Sequence, residues 1–190
     1  DEALKIIPDI IVSDIMMPIM DGNTMCKILK NDIRTSHIPI ILLTAKDSLK
    51  DKEEGYQIGA DSYLTKPFSS SLLRSRIENL LNSRNMLASY YKNNDINREE
   101  EVKEGEPEVT LSVLDNEFLQ KLNGLIAENL ASNKMDIAYL SDKMFMSSST
   151  LYRKMKALTG LSTNEYIRKM KMKHARELLL EGRYNISEIS

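Results

Sequence analysis

Three polar residues in this 190-residue chain each follow directly on a short apolar run: Asp14 after Ile10-Ile11-Val12, Thr44 after Ile38-Pro39-Ile40-Ile41-Leu42-Leu43, and Lys66 after Ser62-Tyr63-Leu64-Thr65. A carboxylate, a hydroxyl and an ammonium brought to one place form a coherent chemical set. The carboxylate can attack phosphorus to give an acyl phosphate, and the hydroxyl and ammonium can hold the oxygens of the transferred group. Each residue also has an ordinary reading. Asp14 caps a turn, Thr44 caps a helix, and Lys66 is a solvated charge. The joint reading is favoured because all three fall at successive run ends, one of them followed by Pro67.

The runs are rich in β-branched and aliphatic residues and short enough for strands; the first reads as a strand buried on both faces. Helical stretches separate them, at about 22–31 and at 49–58, the latter closed by Gly59. Residues 4–7 read as the end of a helix stopped by Pro8. After the third run, Ser69 can cap a helix with apolar positions Leu72, Leu73, Ile77, Leu80 and Leu81. Strands alternating with helices predict a parallel α/β sheet, whose ligand crevice lies at the carboxyl ends of the strands.

The stretch Pro8-Asp9-Ile10-Ile11-Val12-Ser13-Asp14-Ile15-Met16-Met17-Pro18-Ile19-Met20-Asp21-Gly22 resembles the phosphorylation loop of response-regulator receiver domains. Ile40-Ile41-Leu42-Leu43-Thr44-Ala45 and Gly59-Ala60-Asp61-Ser62-Tyr63-Leu64-Thr65-Lys66-Pro67-Phe68 complete that pattern. The resemblance implies that Asp14 is the phospho-acceptor charged by a histidine kinase, Thr44 the switch hydroxyl, Lys66 the ion-pair partner of the phosphoryl group, and Tyr63 the aromatic that changes rotamer. It also implies a cis Lys66–Pro67 bond, and Mg²⁺ held in part by Asp14 and the Met16 carbonyl. Receivers begin with two further strands and an acidic metal-binding pair, which have no counterpart ahead of Asp14; Asp1 and Glu2 read as solvated. The expectation is therefore a partial doubly wound sheet lacking its first two strands, weak in Mg²⁺ binding and slow to accept phosphate. Haloacid-dehalogenase-like phosphatases also use a strand-end aspartyl nucleophile, but they need a second Asp two residues on, where this chain has Met16.

The overall net charge of −2 conceals an asymmetry: residues 132–190 carry 11 Lys/Arg against 6 Asp/Glu, and residues 1–131 carry 15 against 22. A basic second half suits a polyanionic partner. Between the halves, 92–110 is polar and acidic (Arg98-Glu99-Glu100-Glu101, Gly105-Glu106-Pro107) and reads as a linker. From Asp115 the pattern is helical, with Phe118, Leu119, Leu122, Leu125, Ile126 and Leu130 at helical spacing. Further helices are predicted at 137–143, at 148–159 closed by Gly160, and at 163–181, the last opened by a Ser162/Glu165 capping box and closed by Gly182. The residues 136–159 fit a helix-turn-helix. Ile137, Leu140 and Met144, then Leu151, Met155 and Leu158, face inward; Ser148, Ser149, Tyr152, Arg153 and Lys156 face outward. A solvated basic face on a bundle helix is the alternative reading of the same pattern.

Met146-Ser147-Ser148-Ser149-Thr150-Leu151-Tyr152-Arg153-Lys154-Met155-Lys156, Leu158-Thr159-Gly160-Leu161-Ser162, Tyr166-Ile167-Arg168 and Ala175-Arg176-Glu177-Leu178-Leu179 resemble the AraC family of transcription factors. The resemblance implies that Ser149, Tyr152 and Arg153 face bases in double-stranded DNA, while Ser147, Ser148 and Lys156 contact phosphates. Ser141 stands where that family has a small Ala, and Phe145 where Gly is common. Asn185-Ile186-Ser187-Glu188-Ile189-Ser190 resembles the opening of a second helix-turn-helix, without its recognition helix, so weak and salt-dependent binding is expected of this stretch alone.

The expected division is 1–84 as receiver, 85–110 as helix extension and acidic linker, and 111–190 as an all-α AraC-type DNA-binding domain. This order also resembles the C-terminal end of hybrid two-component sensors, so a stand-alone regulator and the output segment of a hybrid sensor kinase both remain open. A dimerisation module without its own DNA binding is the third reading. Helix 49–58, strand 62–65 and helix 70–84 would form its pairing face, as they would in a homodimeric regulator. No enzymatic activity is expected of the stretch itself. A start at Asp1 and an end at Ser190 suggest processing or truncation.

The apolar runs fall short of the roughly 20 residues that cross a bilayer, and one cysteine, Cys26, gives no internal disulfide. A cytoplasmic location follows as the expectation, with the parent polypeptide anchored in the inner membrane if it is a hybrid sensor. Cys26 reads as a small buried residue on a helix. His37 and His174 have no second ligand at metal spacing and read as surface residues.

Overall fold

The computed structural model describes residues 2–45, 59–93, 111–130 and 135–181. The expected helix at 49–58, the acidic linker from Arg98 to Pro107 and the stretch 185–190 lie outside the described residues. The described residues fall into two compact units: 2–45, 59–87 and 111–116 in the first, 88–93, 117–130 and 135–181 in the second.

The first unit is a three-stranded parallel sheet flanked by helices, α/β as expected. A short helix α1 (Glu2–Ile6) leads into β1 (Ile11–Asp14), followed by α2 (Gly22–Lys30), β2 (Ile40–Thr44), β3 (Ser62–Thr65) and the long helix α3 (Ser70–Asn93), of which the part up to Leu87 belongs to this unit. The strand order is β1-β2-β3. Asp14 stands opposite Leu43, and Thr44 opposite Thr65. β2, central and flanked on both sides, is buried except at the half-buried Leu43. β1 corrects the expectation of a strand buried on both faces: it lies at an edge of the described sheet, and Val12 is 38% exposed. One face of the sheet packs Ile40 and Leu42 on Cys26 and Leu29 of α2, with Ile11, Met25 and Tyr63 partly buried against them. Burying such aliphatic side chains stabilises by roughly 1.5–3 kcal/mol each.

Polar groups fix the connections. Lys30 Nζ donates to the Ile38 carbonyl at 2.9 Å and pairs with Asp61 at 2.6 Å, while Asp61 Oδ2 also accepts from the Ile40 N–H at 2.8 Å. The start of β3 is thereby tied to the start of β2. His37 lies in this connection and is 3% exposed, which overturns its assignment to the surface. The loop 35–38 folds in under Leu29, whose carbonyl accepts from Thr35 Oγ1 at 2.8 Å, and carries His37 with it. Asp115, 1% exposed, accepts from Ser36 Oγ at 2.7 Å within the same unit.

The second unit is all helical: α4 (Val113–Glu128, from Glu117 onward), α5 (Ile137–Lys143), α6 (Ser148–Thr159) and α7 (Thr163–Leu180). Phe118, Leu119, Leu122 and Ile126 of α4 are buried, as are Leu140, Leu151, Met155, Leu158 and Tyr166. The Ser147, Ser162 and Gly160 caps read from sequence are in place, while Gly182, expected to close the last helix, lies outside the described residues. Ser147 Oγ accepts from the Thr150 N–H at 3.1 Å, Ser162 and Glu165 form the capping box, and Gly160 closes α6 at φ 67°. Among the described residues no helix is long and apolar enough to cross a membrane.

The loop between β1 and α2 closes on Gly22. Its N–H donates to the Ile15 carbonyl at 2.9 Å, and a Cβ on Gly22 would lie 2.4 Å from the Asp14 oxygen and 2.9 Å from the Ile15 Cα. Both obstacles are backbone, so a side chain there must displace the segment that carries Asp14. We expect Gly22→Ala to destabilise the first unit by about 1–3 kcal/mol, measured by denaturant unfolding. An unchanged midpoint would show that the loop yields freely.

Candidate functional site

The parallel register carries the three strand ends to one edge of the sheet. Asp14 is the last residue of β1, Thr44 the last of β2, and Lys66 follows β3 directly. The Lys66 N–H donates to the Thr44 carbonyl at 2.7 Å, and the Ile15 N–H to the Leu43 carbonyl at 2.9 Å, so the ladder continues past the strands on both sides of β2. The Lys66 ammonium is ion-paired with the Asp14 carboxylate. Both side chains keep more than a third of their surface in contact with solvent, 41% for Lys66 and 35% for Asp14.

Asp14 Oδ1 also accepts from the Met16 N–H at 3.1 Å. The Lys66 ammonium, and then the Met16 N–H, hold the Asp14 carboxyl below its ordinary range, because both favour the charged form. A carboxylate ionised at neutral pH is a competent nucleophile toward phosphorus, and the ammonium beside it can neutralise incoming phosphoryl oxygens. Thr44 is 6% exposed at the carboxyl end of β2. Tyr63 is half-buried, with its ring on the core cluster of α2 and β2. Lys66–Pro67 is cis.

A magnesium ion needs oxygen ligands. Asp14 supplies one carboxylate beside the exposed Met16, but no group of three acidic, histidine or cysteine side chains that could hold a metal occurs among the described residues. The donor set in hand does not by itself fit the ion.

In the second unit the residues Ser147, Ser148, Ser149, Tyr152, Arg153 and Lys156 are all exposed. They lie along one side of α6 and its N-cap, opposite the buried Leu151, Met155 and Leu158. Ser141 is 5% exposed and donates to Ser148 Oγ at 3.1 Å, so the residue that departs from the family's small Ala makes a hydrogen bond to the first turn of α6. Phe145 adopts φ 54° in the turn, the left-handed conformation that Gly reaches without strain, and stays 85% exposed with Lys121 over its ring at 5.3 Å. His174 is half-exposed, 3.8 Å from Glu177. Burial pushes the Cys26 thiol up to about 11, so it stays protonated and inert at neutral pH.

Two charged residues went unnoticed in the sequence: Asp115, described above, and Lys154, which is fully buried with its Nζ 4.9 Å from the centre of the Phe118 ring. A Lys within the inward row of an amphipathic helix was the available signal, since Lys154 precedes Met155 and is three residues from Leu151.

A family profile described as response regulator receiver domain matches residues 2–78, and one described as helix-turn-helix domain matches 140–190. Histidine kinase P4 of Formosa agariphila is 38% identical across 99% of this chain, which spans 14% of that protein. The DNA-binding dual master transcriptional regulator RpaA of Synechocystis is 39% identical over 50% of this chain and 39% of its own length. The uncharacterized transcriptional regulatory protein YclJ of Bacillus subtilis is 38% identical over 69% of this chain and 52% of its own. The chain thus spans between about a seventh and about half of these relatives.

Because the Asp14 carboxyl is lowered on folding, its ion pair is formed at neutral pH and is lost as the pH falls through the folded value. A carbon-detected NMR titration should place the Asp14 midpoint below ~3.9, the ordinary value, and Lys66→Met should move it back up. A midpoint at or above the ordinary value, or one indifferent to Lys66→Met, would show that the pair does not form in solution.

Proposed function

Residues 2–78 are a response regulator receiver domain and residues 140–190 an AraC-type helix-turn-helix domain, and from that pairing we propose a phosphorylation-controlled transcription regulator that accepts phosphate on Asp14 and reads DNA with α6. The two domains are those of a two-component response regulator with a DNA-binding output; the residue roles and the control between the halves are the proposal. The observation that carries it is the Asp14–Lys66 pair at the solvent-open edge where the three strands end.

In this reading a histidine kinase presents a phosphohistidine. An Asp14 oxygen attacks phosphorus, the P–O bond of an acyl phosphate forms, and the P–N bond breaks, with its electron pair remaining on the imidazole. Lys66 leaves its partner carboxylate to bind the phosphoryl oxygens, and the Thr44 hydroxyl and Tyr63 ring adjust to the new group. Magnesium would supply charge neutralisation to the transferring group only with oxygen ligands beyond those of the described residues. Met16 would offer its carbonyl to that ion beside Asp14. On α6, Ser149, Tyr152 and Arg153 would meet base edges, and Ser147, Ser148 and Lys156 phosphates. Two copies would pair through the face of β3 and the first part of α3, where Leu72 is 44% exposed. The protein would work in the cytoplasm.

One observation favours a second reading, in which the segment is the output end of a hybrid sensor: a relative that aligns along 99% of this chain is itself a histidine kinase. The kinase would then lie in the same polypeptide, anchored in the inner membrane.

In the full-length polypeptide, a phosphorylated histidine kinase should load phosphate stoichiometrically, and Asp14→Asn should abolish loading. Arg153→Ala should weaken binding to a preferred duplex by roughly ten- to hundredfold with the fold retained. Loading that survives Asp14→Asn, or unchanged binding by Arg153→Ala in fluorescence anisotropy, would overturn the corresponding role.

A further inference from the structure

We infer that Ile19 is a docking residue for the protein that delivers the phosphoryl group, and that the donor meets it with an apolar surface beside its phosphohistidine; the inference rests on the acceptor reading of Asp14. Between Asp14 and Asp21 the chain runs Ile15-Met16-Met17-Pro18-Ile19-Met20, six residues without a charge. Ile19 is fully exposed, Met16 is 79% exposed and Met20 43%. Ile19 also takes φ 74°, and across it the Met20 N–H donates to the Pro18 carbonyl at 2.9 Å. A three-residue turn with a positive central φ is rare and strained, and a β-branched residue is a poor choice for its centre.

The Ile19 side chain does not offset that cost, because at full exposure it buries no area against its own fold. Gly or Asn would take the same backbone with less strain. An apolar side chain held in water by a strained turn is rewarded when another surface covers it.

Which surface covers it follows from where the loop lies. It starts at Asp14 and closes on Asp14 again: the Gly22 N–H donates to the Ile15 carbonyl at 2.9 Å, and a Cβ on Gly22 would meet the Asp14 backbone oxygen at 2.4 Å. Ile19 is three residues before Gly22, a stretch that spans at most about 11 Å. Even a small protein contact covers on the order of 600 Å² on each partner, a patch roughly 14 Å in radius. A protein that brings a phosphohistidine to Asp14 therefore covers Ile19, whereas a small phosphodonor does not. A second copy of this chain seated on the loop would cover Asp14 and shut out its donor. With no charge on the loop, contact area rather than ion pairing sets the affinity there, so the donor side chains that meet Ile19 are aliphatic or aromatic.

The test compares two donors on the full-length polypeptide: a separately purified, phosphorylated histidine kinase that loads the wild type, and phosphoramidate. Ile19→Asn suits the left-handed turn and removes the apolar contact. It should keep the melting temperature at or above the wild-type value. The concentration that half-saturates loading from the kinase should rise by roughly tenfold, with the rate at saturation and the rate from phosphoramidate unchanged. Ile19→Leu, which keeps an apolar side chain, should retain most of the affinity. Kinase loading unaffected by Ile19→Asn overturns the inference alone, as does an equal loss with both donors, which would mean that Ile19 supports the loop instead of docking a partner. A wild type loaded by phosphoramidate on Asp14 but by no phosphorylated kinase also overturns the inference and leaves the acceptor role standing. A wild type loaded by neither overturns the acceptor reading and the inference with it.

Discussion

The register of three parallel strands is the constraint on which the rest of the first unit depends. With Asp14 opposite Leu43 and Thr44 opposite Thr65, the residues that carry the carboxylate, the hydroxyl and the ammonium arrive at one edge of the sheet, where the carboxylate and the ammonium pair. A slip of one residue would turn every side chain of the slipped strand to the other face and carry its functional residue out of the site. The sheet is guarded against that slip at the opposite end. Asp61 accepts from the Ile40 N–H and pairs with Lys30, and the Ile11 N–H donates to the Pro39 carbonyl at 2.8 Å. Chemistry at the carboxyl ends of the strands thus rests on polar contacts made at their amino ends.

Charges in this chain divide into two kinds by their exposure. Asp14 and Lys66 are left open to solvent, and a site that exchanges its counter-ion for a phosphoryl group needs that access. Their attraction is moderated by water, so Lys66 can change partners without a large penalty. Asp115 and Lys154 are withdrawn from water almost completely. A buried charge is poor at raising stability and effective at selecting one arrangement over its neighbours. The same residue types accordingly stand in opposite surroundings: the exposed pair is screened by water, and the buried groups are not.

Much of the architecture was legible because it is written locally. β-branched runs ending in Asp14, Thr44 and Lys66 gave the strands, and the Ser147 cap, the Ser162/Glu165 capping box and Gly160 gave the helix ends, since each depends on residues within a few positions. What was missed depends on partners distant in sequence. His37 is buried because the 35–38 loop is held on α2, and Val12 is exposed because β1 lies at an edge of the described sheet. Asp115 finds Ser36 across 79 residues, and Lys154 finds Phe118 across the helical unit. A charged side chain is read as solvated by default. Only the fold shows which ones are not.

The same logic places the two candidate sites. In each unit the exposed side chain that would do the work is joined to elements that are otherwise buried. Asp14 is the last residue of β1, hydrogen-bonded alongside the buried β2, and its loop is closed by Gly22 where no side chain fits. Arg153 projects from a helix whose next two residues, Lys154 and Met155, are fully buried. Precision at a site requires rigid support beneath the reacting or reading group. The loop around Asp14 gains that rigidity from close backbone packing, and α6 gains it from side chains on its inner face. The candidate acceptor site is therefore sensitive to added atoms at Gly22, whereas the candidate reading face depends on the side chains packed beneath it.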